Sequence, residues 1–464
     1  MAARDAQPAW ADVPNADKRR VLLDFHDAVL DRQAELLDIV WAETGKARTH
    51  AFEEVADVAL VARHYAIAGA GYLRPKRVPG VLPLVSHAVI ERVPRGVVGV
   101  VTPWNYPLSL PIGDAIPALF AGNSVVIRPD VRTPATARLG VEMLHAAGVP
   151  RAVLQVVEGS GATAGEALVR ECDYVCFTGS TATGRRVAAI AGERLVGASL
   201  ELGGKNSAYV RADADLGRAV EAVVRQAFTG AGQLCMHAER LVLAEPIAAE
   251  FVARLVAAVR ALRLDDRLGW GGDVGRLIDA AQARRVQAHV DDAVAKGARV
   301  VTGGCGRPDL GELIFEPTIL AGVRPGMACR DEETFGPVLS VFTVEDDNAA
   351  IELINDTEYG LHAAIFSADV PAATRLARRL RVGTVSINEA YSASWGATAA
   401  ELGGMKASGL GRRHGAEGIL RFTQAQAITV HRGLGLGRPR GIGDRAHARA
   451  WTAGLRLLRR LGRS

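Results

Sequence analysis

Val97-Val98-Gly99-Val100-Val101 runs without a polar residue into Thr102-Pro103-Trp104-Asn105, a turn that opens a helical pattern. The same order recurs. Ser124-Val125-Val126-Ile127-Arg128 leads into Pro129-Asp130, residues 153–157 lead into Glu158-Gly159-Ser160-Gly161, and Tyr174-Val175-Cys176-Phe177 leads into Thr178-Gly179-Ser180. Continuous apolar strands have no face to offer water, and with a helix after each they predict a parallel sheet covered on both sides. Ligands of such sheets collect outside the carboxyl ends of the strands, and here those ends carry small, polar or Gly residues.

Outward from that core the texture changes. Residues 16–73 read as helices, with Val21, Leu22, Phe25, Val29, Leu36, Leu37 and Val40 at helical spacing and Thr44-Gly45-Lys46 as a stop. Residues 80–94 alternate, carry Pro at their edges, and predict a hairpin arm outside the main sheet. A second α/β unit is expected over about 207–402, with strand signals at 335–341 and 383–388. The expected architecture is α/β, two doubly wound parallel-sheet domains with a small β oligomerisation arm. Its boundaries fall at 1–79 and 95–203 for a dinucleotide-binding domain, 204–402 for a catalytic domain, 80–94 and 420–432 for the arm, and 433–464 for a basic amphipathic tail.

Composition narrows the class. Apolar residues make up 49% and aromatic ones 5%, as in a globular enzyme. The odd count of five cysteines has no metal spacing and suits a reducing, cytoplasmic setting better than a disulfide framework. No signal peptide or apolar run long enough to span a membrane is read, and no metal is expected. The net charge of +4 is carried by the tail: residues 438–464 hold eight Arg and one Asp, leaving the body slightly negative, which argues against a nucleic-acid channel through the fold.

The chemistry centres on Cys235, in Phe228-Thr229-Gly230-Ala231-Gly232-Gln233-Leu234-Cys235, and on Glu201, in Glu201-Leu202-Gly203-Gly204-Lys205-Asn206. A thiol on a Gly-rich turn, partnered with a carboxylate, can form and hydrolyse a thioester. Taken alone, Cys235 also reads as an inert core thiol, Glu201 as a solvated strand cap, and Asn105 as a residue bonding its own turn.

Six strings in order go further: Thr102-Pro103-Trp104-Asn105-Tyr106-Pro107; Phe177-Thr178-Gly179-Ser180 with Gly184; Glu201-Leu202-Gly203-Gly204-Lys205; Gly232-Gln233-Leu234-Cys235; Glu332-Glu333-Thr334-Phe335-Gly336-Pro337; and the run from Gly403 to Arg412. Together, over residues 7–430, they resemble the signature blocks of the NAD(P)-dependent aldehyde dehydrogenases, most closely a bacterial branch labelled NADP-type succinate-semialdehyde dehydrogenase. The resemblance implies an aldehyde oxidised to a carboxylate, with Cys235 as nucleophile, Glu201 as base for water, and the Asn105 amide with the Cys235 backbone N–H as oxyanion donors. It also implies that Glu333 holds the nicotinamide ribose, that Phe335 packs beside the ring, and that Thr102, Trp104, Gly179, Ser180 and Leu202 belong to the cofactor groove.

The cofactor groove lacks the common Gly-x-Gly-x-x-Gly spacing, having Gly159-x-Gly161-x-x-x-Gly165 instead. Where the family usually reads Lys-Pro-Ser-Glu, this chain has Arg128-Pro129-Asp130-Val131-Arg132. Without the acid at Val131 a 2′-phosphate is not repelled, and Arg128 or Arg132 can pair with it, so NADP is expected to serve at least as well as NAD. Asp130, one position early, is the alternative that would restore the acid.

Other departures are Gly230 for the usual Asn, Glu401-Leu402 for Pro-Phe, and a short amino terminus that predicts a sheet edge either exposed or covered by a partner subunit. The two arginines expected of a carboxylate-binding semialdehyde enzyme are replaced by Thr229 and Gly113, which favours an apolar aldehyde over succinic semialdehyde. Rival readings are a CoA-acylating relative, which would generally lack Glu201, and a catalytically idle membrane-associated scaffold. In the tail, Trp451, Leu455, Leu458 and Leu461 share a helical face flanked by Arg456, Arg459, Arg460 and Arg463, which suggests contact with an anionic membrane, a lid over a substrate tunnel, packing on a neighbouring subunit, or a frayed end. The arm and the strand at 427–431 resemble the family's oligomerisation element, so a homodimer is expected first and a homotetramer second.

Overall fold

A computed structural model describes residues 2–82, 85–432 and 435–460. The chain divides into two units, residues 1–72 with 94–422, and residues 73–93 with 423–464.

The larger unit contains two sheets. The first has the order Gly409–Leu410, Gly197–Glu201, Tyr174–Thr178, Val97–Val101, Ser124–Arg128, Leu154–Val156. Every pairing is parallel except the edge made by Gly409–Leu410. From Val97–Val101 the chain steps outward to Ser124–Arg128 and Leu154–Val156, then returns to the other side at Tyr174–Thr178. The order therefore reverses between Val97–Val101 and Tyr174–Thr178, and a crevice opens at their carboxyl ends. All five residues of each of those strands are buried, as their unbroken apolar runs require.

The second sheet runs Arg299–Thr302, Thr318–Ala321, Val338–Val344, Ala238–Ala244, Asn206–Val210, His362–Phe366, Thr384–Ile387, again parallel except at its first pair. Residues 202–205 carry the chain from the first sheet to the second, because Glu201 ends a strand of one and Asn206 begins a strand of the other, and after Ile387 the chain returns to add Gly409–Leu410 to the first. The strand signal at 335–341 is displaced: pairing begins at Val338, and Phe335 sits in the left-handed region at φ 55°.

The amino-terminal helices are Asn15–Asp31, Gln33–Thr44 and Arg48–Tyr72, and Gly45 at φ 68° stops the second as its sequence predicts. A further helix, Ala2–Ala11, was not read from the sequence; it buries Ala3 and Trp10, whose indole donates to the Leu119 carbonyl at 2.8 Å. Cys172, Cys176 and Cys329 are buried free thiols.

In the smaller unit, Lys76–Pro79 pairs antiparallel with Ser86–Pro94, and Thr423–His431 flanks the latter. The expected hairpin at 80–94 is therefore shifted: its first strand precedes Gly80, and Gly80 lies in the connection. The Ser86 hydroxyl meets His431 Nδ1 at 2.7 Å. Helix Asp444–Arg460 follows, carrying Trp451, Leu455 and Leu458; the expected Leu461 and Arg463 lie outside the described residues. No helix among the described residues is long and apolar enough to cross a membrane.

Candidate active site

Cys235 follows a turn built on three consecutive left-handed residues, Gly230 (φ 59°), Ala231 (φ 55°) and Gly232 (φ 69°). Gly230 tolerates that geometry as well as the usual Asn would. At Gly232 nothing larger fits, since a Cβ would stand 2.2 Å from the Gly336 carbonyl oxygen. Gln233 ties the turn down: its amide donates to the Gly230 carbonyl at 3.0 Å and its Oε1 accepts from Ile278 N at 2.9 Å. Asn206 Nδ2 donates to the Cys235 and His237 carbonyls at 2.7 and 2.9 Å, fixing the far side.

One pocket brings Cys235, Glu201 and Asn105 together with Trp104, Leu202, Glu333 and Phe335. Asn105 Nδ2 donates to the Gln233 carbonyl at 3.0 Å, so the amide is held against the cysteine turn with its second N–H still available. The Asn105 backbone carbonyl accepts from Lys46 Nζ at 2.7 Å, and Lys46 pairs with Glu54 at 2.6 Å. Burial pushes the Cys235 thiol up to about 12, reinforced by Glu201 and Glu333 and opposed by Arg413. Burial likewise raises Glu201 to about 7, against the pull of Arg413 and Arg421. Its Oε1 has no hydrogen-bond partner. Arg413 and Arg421 spend their charge on Asp114, at 2.8 and 2.5 Å.

The two glycines after Leu202 let distant chain come close. A Cβ on Gly203 would stand 2.6 Å from the Glu333 carboxylate, and one on Gly204 2.8 Å from the Cys235 carbonyl. Gly204 N donates to Glu333 Oε1 at 2.8 Å, and burial raises Glu333 to about 7. The loop carrying Glu333 and Phe335 is set by a buried ion pair the sequence reading passed over, Lys205 with Glu239. Glu239 accepts from Thr334 N at 2.8 Å and Phe335 N at 2.9 Å. The Phe335 ring then meets Trp104 edge-on at 5.6 Å. Lys205 ends the string that begins at Glu201, and Glu239 lies four residues after Cys235, but only the fold pairs them.

Trp104, Thr178, Gly179 and Ser180 also wall a second cavity, which continues past Thr102 to Arg128, Asp130, Arg132 and Arg186. It fits a dinucleotide on local grounds. Ser180 caps helix Thr181–Glu193, whose first N–H groups face the crevice, and no atom lies within 4 Å of where a Cβ on Gly161 would stand. One expectation needs correcting. Val131 is 58% exposed and does not line this cavity, because its side chain turns to solvent. Arg128 directs Nε and Nη2 to the Gly159 carbonyl at 3.1 and 2.8 Å, and Arg132 pairs with Asp130 and Asp279 at 2.8 and 2.7 Å, so neither guanidinium is wholly available. Leu202 lines the Cys235 pocket beside Glu333 and Phe335, the residues expected to meet the nicotinamide. Arg186, which sequence reasoning missed, lines the groove with only a 3.6 Å pairing to Glu166.

The opposite wall of the Cys235 pocket is aromatic and backed by acids. Tyr106 and Trp395 line it, 6.3 Å apart. Behind them Glu53 accepts from the Tyr106 hydroxyl at 3.1 Å and from Tyr391 at 2.7 and 2.8 Å. Ser109 donates to Asp57, which burial raises to about 7 and whose Oδ1 has no partner. Gly113 leaves room for Asp57, whose Oδ2 lies 3.9 Å from where a Cβ would be. Thr229 is buried in the cysteine turn.

Residues 1–428 match the sequence profile of the Aldehyde dehydrogenase family. This chain belongs to that family. As an aldehyde dehydrogenase it uses a nicotinamide dinucleotide and oxidises an aldehyde. It is 47% identical over 459 residues, 99% of this chain and 89% of the relative, to a Mycolicibacterium smegmatis protein provisionally named NADP-dependent succinate-semialdehyde dehydrogenase. It is 37% identical over 91% of this chain and 79% of the relative to a 4,4′-diapolycopene aldehyde oxidase of a Methylomonas species. A Staphylococcus aureus betaine aldehyde dehydrogenase, solved in complex with NAD+, superposes with a TM-score of 0.89 at 29% identity, covering 96% of this chain and 88% of that one.

Proposed function

We propose that this enzyme oxidises an apolar aldehyde through a thioester on Cys235, with NADP serving at least as well as NAD. The observation that carries the reading is the convergence of Cys235, Asn105 and the unpartnered Glu201 carboxylate in one pocket, open to the groove beside Gly179 and Ser180.

An oxidised dinucleotide held in that groove would supply the hydride acceptor. Cys235, a neutral thiol at rest, releases its proton to solvent water as its sulfur bonds the aldehyde carbon and the C=O π bond opens. The developing oxyanion is met by the Cys235 backbone N–H and the free N–H of Asn105, which Gln233 has already oriented. Collapse of the tetrahedral adduct breaks the C–H bond, the hydride departs, and the acyl group stays on sulfur. Glu201 then takes a proton from water as the water oxygen bonds the acyl carbon. The C–S bond breaks, a carboxylate leaves, and the thiol is restored.

Glu53 and Asp57 support the apolar substrate. The wall offered to a substrate is the aromatic surface of Tyr106 and Trp395 with these acids behind it, and Arg413 and Arg421 are already engaged by Asp114. The diapolycopene relative's name agrees with that reading, and the mycobacterial relative's name favours succinic semialdehyde instead. The arm strands support a homodimer or homotetramer.

The test is reduction of NADP and NAD across succinic semialdehyde, hexanal, decanal and benzaldehyde. kcat/KM is expected to rise with chain length and to vanish in Cys235→Ala. A higher kcat/KM with succinic semialdehyde than with decanal would overturn the apolar assignment.

A further inference from the structure

Helix Asp444–Arg460, Asp-Arg-Ala-His-Ala-Arg-Ala-Trp-Thr-Ala-Gly-Leu-Arg-Leu-Leu-Arg-Arg, plays no part in the pocket chemistry. At 100° per residue, Arg445, Arg449, Arg456, Arg459 and Arg460 fall within an arc of about 100°. Leu457, Ala450, Leu458, Trp451 and Leu455 occupy the opposite side. Leu455 and Leu457 are 58% and 56% exposed, while Trp451 and Leu458 are half-buried. None of the five arginines forms an ion pair among the described residues. The only acid, Asp444, stands in the first turn, where it suits the helix dipole, and pairs with Arg438 at 2.9 Å.

We propose that this helix docks the enzyme on an anionic phospholipid bilayer, lying in the interface plane. The charge pattern names the occupant. A helix packed on ordinary protein surface mixes signs along its polar face, whereas this one is cationic throughout beyond its first residue. The apolar arc argues against nucleic acid, which would leave Trp451 and the leucines without a partner. The helix spans roughly 25 Å, at 1.5 Å per residue. Since no helix among the described residues can cross a membrane, it rests on the surface. The arginines meet lipid phosphates while Trp451, Leu455 and Leu458 enter the acyl boundary. Docking of this kind does not depend on which aldehyde is oxidised.

The full-length enzyme is sedimented with vesicles of equal phosphatidylglycerol and phosphatidylcholine, and with phosphatidylcholine alone. Binding is expected to the first and not the second, and to weaken as salt rises. Arg445→Gln/Arg449→Gln/Arg456→Gln should weaken it on the order of a hundredfold, and Leu455→Asp/Leu458→Asp should abolish it. Both variants should keep the wild-type rate with hexanal in vesicle-free buffer, which shows that they fold. Equal sedimentation with both vesicles, or none with either, overturns the proposal. So does a leucine variant that elutes as a smaller oligomer with vesicle binding unchanged, since the apolar arc would then cover a second copy of the chain. Retention on duplex DNA in place of anionic vesicles would overturn it as well.

Discussion

Glu201 and Glu239 are both buried, at 8% and 1% exposure, one 34 residues before Cys235 and the other four after it, yet the protein treats them in opposite ways. Burial opposes ionisation of Glu239, but Lys205 and His237 beside it prevail and hold its carboxyl well below the usual carboxylate range. It is a fixed anion that clamps the amides of Thr334 and Phe335. Glu201 has no cation of its own, because Arg413 and Arg421 are drawn to Asp114, so burial prevails and its carboxyl stays near neutrality. Burial alone predicts neither outcome. The partners decide whether a buried carboxylate becomes scaffold or proton acceptor.

The sharpest way to break that comparison is Glu201→Gln. Steady-state turnover should fall roughly 10²- to 10⁴-fold, the usual worth of a positioned general base. A rapid-mixing burst of reduced cofactor near one equivalent per active site should survive, because hydride leaves before water attacks. Disappearance of the burst together with turnover would remove Glu201 from the hydrolytic step.

Glu239→Gln should act on the scaffold. It strands the buried Lys205 charge and should cost about 3–5 kcal/mol in urea unfolding. Glu201→Gln should leave stability at pH 8 unchanged or raised, since the native state binds the Glu201 proton more tightly than the unfolded chain does. That sign follows from a native value lifted above the unfolded one: the native form gains relative to the unfolded chain at low pH, and the gain is lost as pH rises through about 7. Equal losses from the two substitutions would erase the distinction between clamp and base.

The mildest effect is the pH profile. Turnover limited by hydrolysis should fall about tenfold per pH unit below the Glu201 value of about 7, where the carboxylate takes up its proton. Glu333 titrates in the same range. Assigning the limb therefore requires that it persist in Glu333→Gln, measured at saturating cofactor; a limb that vanishes in that variant belongs to Glu333.

The sheet strands were legible because an unbroken apolar run such as Val97–Val101 can be satisfied only between two covering layers. Cys235, Glu201 and Asn105 were legible because their flanking glycines and turn residues mark backbone that must approach closely, and the Gly203, Gly204 and Gly232 contacts account for that demand. Val131 misled because sequence position alone does not say whether a side chain faces groove or solvent. Arg128 and Arg132 do line the groove, but the sequence did not show the carbonyl and carboxylates that engage part of each guanidinium.

By itself the sequence determined the family, the parallel-sheet core, the proposed nucleophile with its carboxylate and amide, and a tail whose arginines and leucines separate by helical angle. Each of these is written in local periodicity or in residue types that chemistry makes hard to replace. Tertiary structure alone decided the pairing of Lys205 with Glu239, the capture of two arginines by Asp114, and the acids set behind Tyr106 and Tyr391. Those partners come from segments far apart in the chain, and the ionisation state of a buried group is set by whichever charges the fold brings beside it.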